Sequence, residues 1–420
     1  MAVLAILIGS YEGVIAPVVP LLEHDLHMSL KVYGLISGVA VLMGGVASMA
    51  GGRLVDNVGR VRVLVPLMLL TSVCAFGMTL VHNETHLLIG RIVLAFVDGM
   101  AMAGTAPLVR DFAPRLGRAQ AFGFWTWGPV GANFMAAAIA AVTLPLFADS
   151  WRSQFVIMGA ISLVVSIVIA VNIADLSPRL RAQILQSEKK ALGAADEQKP
   201  IRARALFGHV HIWAHVVGIS LWLIIYMTLT LLGQAMLVSV FNLTAAKASS
   251  IMAGFWILDL AVLIIIGRVS DKLQLRKPFS LVGTIAAVFV MIYFISLMGY
   301  KTVPTGQLVL AGALLGAALA CAYAPWMANY SENAEDVDPR LQGTAWGVFG
   351  FLTKAIAFVV LLVAPSVAEL AGWQTWLYVC LGGLILYIPA IFLFRGPWRR
   401  TERPATVEPV VAVTTADAGD

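Results

Sequence analysis

Apolar positions along this chain form long runs of about 20 residues, the length a helix needs to cross the hydrocarbon core of a bilayer. We read twelve such runs, at residues 2–22, 33–52, 63–81, 87–108, 119–142, 154–174, 212–240, 246–267, 279–299, 306–327, 342–364 and 374–394. Gly and Pro occur inside most of them, as at Pro17, Pro107, Pro129, Pro325 and Pro389. Membrane helices tolerate such residues where neighbouring helices or water satisfy the freed backbone groups. The pattern predicts an all-α integral membrane protein. It comprises a first bundle over 1–174, a linker over 175–211, a second bundle over 212–395 and a disordered tail over 396–420.

Composition agrees. Of 420 residues, 60% are hydrophobic and 12% charged, too few charges to cover a soluble surface. The net charge of +5 raises the question of nucleic acid, but no basic cluster stands on a soluble domain. Lys and Arg are distributed unevenly. With the N-terminus inside, 22 of the 28 fall in inner segments, 5 fall outside, and Lys354 lies within a run. That bias predicts both termini in the cytoplasm and a multi-pass protein of the cytoplasmic membrane. The acidic segment 328–340 opposes the trend without reversing it. The linker, with seven Lys and Arg, is expected near anionic headgroups.

Cys74, Cys321 and Cys380 sit apart inside apolar runs and form no CxxC pair. The HisAsnGluThrHis stretch at 82–86 lacks the order of a zinc protease, and His211 and His215 stand alone at the mouth of a run. No metal and no cofactor is expected.

The two halves share landmarks in order. GlyArgLeuValAsp at 52–56 answers GlyArgValSerAsp at 267–271, AlaPro at 106–107 answers AlaPro at 324–325, ProArgLeu at 114–116 answers ProArgLeu at 339–341, and Trp151 answers Trp373. The offsets are 215, 218, 225 and 222. An even number of runs per half means that both halves point the same way, related by an axis along the membrane normal, with a central site expected between them.

These residues carry a resemblance. Residues 52–64 are similar to the signature loop of the major facilitator superfamily through Gly52, Asp56, Gly59, Arg60 and Leu64. The second copy keeps Gly267, Asp271, Arg276 and Lys277 but has Gln274 where a Gly would stand. Trp151, Arg152 and Phe155 resemble that family's element before the sixth helix. The resemblance implies a twelve-helix fold of two pseudo-symmetric six-helix bundles and alternating-access transport of a small organic solute, the expected partners being that solute and the lipid bilayer, with the protein acting as a monomer. It also implies a cytoplasmic gate at Gly52, Asp56, Gly59, Arg60, Arg62, Gly267, Arg268 and Asp271. Gly52 and Gly59 would allow close approach and a tight turn, and Arg60 and Arg62 would pair with acids across the seam.

Glu12, Asp98, Asp259 and Lys354 fall near the middle of their runs. Each costs about 2.5–3.5 kcal/mol or more at the bilayer centre unless it faces a wet or polar interior. In the resembling fold the four helices that carry them surround the central cavity. Glu12 or Asp98 is expected to carry a proton as coupling ion, and Lys354 to serve as counter-ion or solute ligand. Arg91 shares a face with Asp98, Trp256 shares one with Asp259, and Tyr11 adjoins Glu12. Asn133, Tyr226, Gln234 and Trp326 complete the candidate binding residues. Proton-coupled uptake is the first functional expectation and proton-driven multidrug efflux the alternative. The GlyPro motif of efflux helices is only partly matched by Gly128-Pro129-Val130-Gly131. A channel would need a selectivity loop and an enzyme a grouped constellation of reactive side chains, and neither pattern stands out.

Overall fold

The computed structural model describes residues 1–105, 108, 118–173, 203–300, 302–338 and 341–399. Most of the expected linker, the tail beyond 399, the AlaPro at 106–107 and the ProArgLeu at 114–116 lie outside the described residues. All described elements are helical: α1 (Ala2–Gly13), α2 (Val19–Asp25), α3 (Leu30–Val58), α4 (Arg60–Gly77), α5 (Glu84–Met102), α6 (Arg118–Leu146), α7 (Trp151–Asn172), α8 (Val210–Phe241), α9 (Ala245–Leu273), α10 (Lys277–Leu297), α11 (Thr305–Val337) and α12 (Gln342–Leu393), with short 3₁₀ turns between some of them. Among the described residues eleven stretches are long and apolar enough to cross a membrane. The last, Thr344–Leu393, is 50 residues long, and it is interrupted at Gly372, whose φ of 82° and ψ of 157° are not helical.

The first apolar run is not one helix. α1 stops at Gly13, Val14 is extended, and Pro17 opens a 3₁₀ turn that leads into α2, where Pro20 occupies the first turn. Pro17 and Pro20, four and seven residues beyond the end of α1, lack the amide donors that a continuous helix would need. The break falls one residue beyond Glu12, after Gly13.

Helix starts follow ordinary capping chemistry. Ser29, Asn83 and Thr244 accept hydrogen bonds from the backbone N–H groups of Val32, His86 and Lys247 at 3.3, 2.8 and 3.3 Å. All three caps lie at the end of the molecule that also carries the 26–29 and 242–244 turns. At this same end Asp25 anchors the start of α7. It accepts from the Trp151 indole N–H at 2.7 Å and pairs with Arg152 at 2.9 Å, while Arg152 also donates to the carbonyls of Thr79 and Val81. The Trp–Arg element thus ties α2, the end of α4 and α7 together.

The helices before residue 174 and those after 202 meet through α3 with α12, α6 with α9, and the α1–α2 turn with α8. The close contacts fall toward the Asp25 end. Ala140 and Leu144 of α6 pack on Ala245 and Ala246 of α9. Gly34 of α3 is so near α12 that a Cβ on it would overlap the Leu361 carbonyl oxygen, and Pro365 would lie 3.2 Å away. Four residues on, a Cβ on Gly38 would lie 3.1 Å from the Phe358 ring. The molecule is closed at this end.

Candidate functional site

The break after Gly13 places Glu12 at the end of α1, and its side chain is only 1% exposed. Its Oε1 accepts a hydrogen bond from the Ser72 hydroxyl of α4 at 3.0 Å. Its Oε2 is buried without a partner. Gly9, less than one turn earlier, lets α1 approach α5: a Cβ there would lie 3.0 Å from Asp98 Oδ1. That Asp98 oxygen is likewise buried without a hydrogen-bond partner. Two acids from two helices therefore act on each other through low-dielectric surroundings, and the Ser72 hydroxyl is a neutral donor to Glu12. Tyr11 points away from this pair, into the apolar core and against a small space shared with Pro17, Val18, Gln154 and Phe155.

Lys354 is exposed and lies within electrostatic reach of Asp98 across the seam, but it forms no ion pair within 4.0 Å among the described residues. The expected counter-ion is thus opposite the acids and not locked to them. Arg91 lies in the first half of α5. It is 8% exposed, near Tyr33 of α3, and its Nε has no partner. Arg91 and Asp98 are seven residues, about two helical turns, apart, so they share a face without meeting. Asn133 donates to the Pro129 carbonyl at 2.9 Å, a bond within its own helix.

The second half holds a different constellation. Asp259 of α9 is 1% exposed and accepts a hydrogen bond from the Tyr226 hydroxyl of α8 at 3.2 Å. No Lys, Arg or His pairs with it among the described residues. The Trp256 ring meets Tyr226 edge-on, with centroids 5.7 Å apart. From Tyr226 a run of nearly parallel rings leads away along α8 and α11. Tyr226 to Trp222 is 4.9 Å, Trp222 to Tyr323 5.1 Å, Tyr323 to Trp326 5.7 Å and Trp326 to Tyr330 5.3 Å, with interplanar angles from 9° to 23°. The indole N–H groups of Trp222 and Trp326 are buried without partners, as is the Gln234 Oε1. Trp222, Tyr323 and Tyr330 were not singled out in the sequence. Their spacing held the signal: 222 and 226 share a face of α8, and 323, 326 and 330 share one of α11.

The structure brings Glu12 together with Asp98, and Asp259 with Tyr226 and Trp256. No described contact joins the first group to the second.

At the opposite end of the molecule the gate expectation is modified. Gly59 has φ of 113° and turns the chain between α3 and α4, as a signature glycine should. Gly52 and Gly267 have nothing within 4 Å of an added Cβ, so neither serves close approach here; Gly51 does, against Met100 of α5 at 2.7 Å. The side chain of Asp56 lies outside the described residues. Arg60 opens α4, while Arg62 and Arg268 are exposed and neither forms an ion pair among the described residues. Asp271 pairs not across the seam but with Arg276 at 2.6 Å, and Arg276 reaches Glu332 of α11 at 2.9 Å and Ser270 at 2.8 Å. Burial opposes the Arg276 charge, yet Glu332 and Asp271 hold its guanidinium above its ordinary range. The second signature loop is thus fastened to its own half in this closed-at-the-Asp25-end state. Gln274, in the place of the expected Gly, does adopt the left-handed region, with φ of 56°.

Such an arrangement of buried charges in broken and closely packed apolar helices defines a multi-pass α-helical membrane protein with an ionisable interior. The chain belongs to the Major Facilitator Superfamily, whose sequence pattern matches residues 1–361. It is 28% identical over 171 residues to the quinolone resistance protein NorA of Staphylococcus aureus, a match that spans 39% of this chain and 41% of NorA. It is 30% identical over 101 residues to the multidrug resistance protein MdtG of Erwinia billingiae, spanning 23% of this chain and 25% of MdtG. In fold it is similar to a D-xylose–proton symporter, with TM-score 0.70, 16% identity and 96% of each chain covered. It is also similar to a bacterial homologue of the human lysosomal transporter Spinster in an inward-facing, occupied conformation, with TM-score 0.69, 16% identity, and 93% of this chain and 95% of that one covered.

Proposed function

We propose that the chain is a proton-coupled secondary transporter that moves a small organic solute across the cytoplasmic membrane by alternating access. The observation that carries this reading is the buried Glu12–Asp98 pair, with two acceptor oxygens that no hydrogen bond satisfies. Two negative charges repel strongly in such surroundings, and a proton shared between them removes the repulsion and converts one idle acceptor into a donor. A wet, open state releases that proton and a dry, closed state retains it, which is the requirement for coupling. Lys354, near Asp98 but unpaired, supplies a charge that approaches or withdraws as the two halves rock.

In this reading Gly372 divides the last stretch, giving twelve spans in two bundles of six. Both termini lie on the cytoplasmic side, and the molecule works as a monomer. The Asp25 end is then the outer face, and the closure through Gly34 and Leu144 is that of an inward-open state. A proton is the coupling ion, and no metal or other cofactor takes part.

The direction has two readings. The aromatic wall beside Asp259 and the resistance names of NorA and MdtG support export by antiport. The incomplete GlyPro motif at 128–131 supports uptake by symport. A panel of dyes, sugars and organic acids, narrowed by thermal stabilisation of the purified protein, gives a solute for the test. Proteoliposomes loaded with a pH-sensitive dye are expected to show proton movement when that solute is added, opposite to the solute in antiport and with it in symport. Solute movement without any proton movement would sink the coupling.

A further inference from the structure

We propose that the face around Asp259 is the solute's own subsite and that it takes a planar aromatic cation, apart from the proton site at Glu12 and Asp98. The proposal rests on the transport reading for its purpose. The binding it asserts does not depend on that reading.

The chemistry is set by what surrounds the carboxyl. Asp259 has one hydrogen-bond donor, the Tyr226 hydroxyl, and no paired cation among the described residues. A buried carboxyl without a counter-ion holds a proton, and a positively charged ligand group that reaches it favours the ionised form and pairs with it. Around it stand π faces rather than donors. Trp222 and Trp256 lie behind, while Tyr226 and Tyr323 are half-buried and form the reachable front. Ring faces attract a cation and give nothing to an anion. The five-ring run from Tyr226 to Tyr330, with its interplanar angles of 9° to 23°, offers a flat surface on which a planar ring system stacks in the same sense.

Other solute classes fit worse. An organic anion meets Asp259 and no adjoining base. A sugar needs several converging donors and acceptors to replace its hydration, and this face supplies mainly aromatic surface. An amphipathic ring with a fixed positive charge needs one carboxylate and flat apolar walls, both of which are present.

The test measures binding to the purified full chain at equilibrium, without a membrane gradient. Ethidium is the probe, with neutral phenanthridine at alkaline pH and anionic pyrenesulfonate as comparisons of similar shape. Saturable ethidium binding is expected, with both comparison probes weaker by at least about tenfold. Asp259→Asn is expected to remove the preference for the cation. Tyr323→Ala, at a half-buried ring, is expected to weaken ethidium by at least about tenfold. If Asp259→Asn does not fold, the charge comparison on the unaltered protein and the Tyr323→Ala variant decide. Absence of saturable ethidium binding, equal affinity for pyrenesulfonate, or unaltered binding by Tyr323→Ala overturns the proposal. Selective binding by a protein that moves no protons would leave this subsite standing and remove the coupling reading. Proton-coupled movement of another solute without ethidium binding would do the reverse.

Discussion

Glu12→Gln is expected to reduce gradient-driven solute accumulation to the level of empty vesicles while leaving exchange of labelled for unlabelled solute in place. The amide keeps the size of the side chain and can still accept from Ser72, whose hydroxyl lies 3.0 Å from Glu12 Oε1. It cannot gain or lose a proton, so it mimics one state of the pair permanently. Exchange needs only that the two halves rock with solute bound, and net accumulation also needs the proton to leave. The split between the two assays distinguishes a coupling role from a structural one, because a misfolded variant loses both. Full accumulation by Glu12→Gln would move the proton to Asp98 or Asp259.

Gly34→Ala is the second change with a large expected effect. Gly34 has no side chain between α3 and the Leu361 carbonyl of α12, and a methyl group there would overlap backbone that cannot swing aside. Overpacking of this kind costs about 1–3 kcal/mol. The cost falls on the state closed at the Asp25 end, since only there does the contact exist. The equilibrium therefore shifts toward the state open at that end by roughly fivefold to more than a hundredfold. A cysteine introduced at Ala140, which packs on α9 at the same seam, should react faster with a membrane-impermeant thiol reagent in the Gly34→Ala background. Transport should slow in parallel. Unchanged labelling would mean that the seam yields elsewhere.

The sequence made the membrane-spanning character legible because unbroken apolar runs have one physical use at that length. The signature loop was equally legible at Gly59, where a turn demands positive φ. The candidate acids were found because a charge in an apolar run is costly and therefore purposeful. Their partners were harder to read. Ser72 lies on α4, which carries no mid-depth charge and so drew no notice, yet it holds Glu12. Arg91 was read as sharing a face with Asp98, but its burial near Tyr33 of α3 became clear only from the fold. Asp25, Trp151 and Arg152 are more than 120 residues apart in pairs that no local pattern links. The break after Gly13 was hinted at by Pro17 and Pro20, but its position beside Glu12 depends on where α1 packs. The close approach of α3 to α5 falls at Gly51 and not at Gly52, because a one-residue step along a helix turns a side chain about 100° and changes which neighbour it faces.

The central claim is that solute movement is driven by protons through the buried acid pair. Purified protein in proteoliposomes, given a transported solute and an imposed pH gradient, tests it directly. The account predicts accumulation that follows the size of the gradient and collapses to equilibrium on addition of a protonophore. Solute that equilibrates at the same rate and to the same level with or without the gradient would contradict it, leaving Glu12 and Asp98 as a fixed polar contact between α1 and α5.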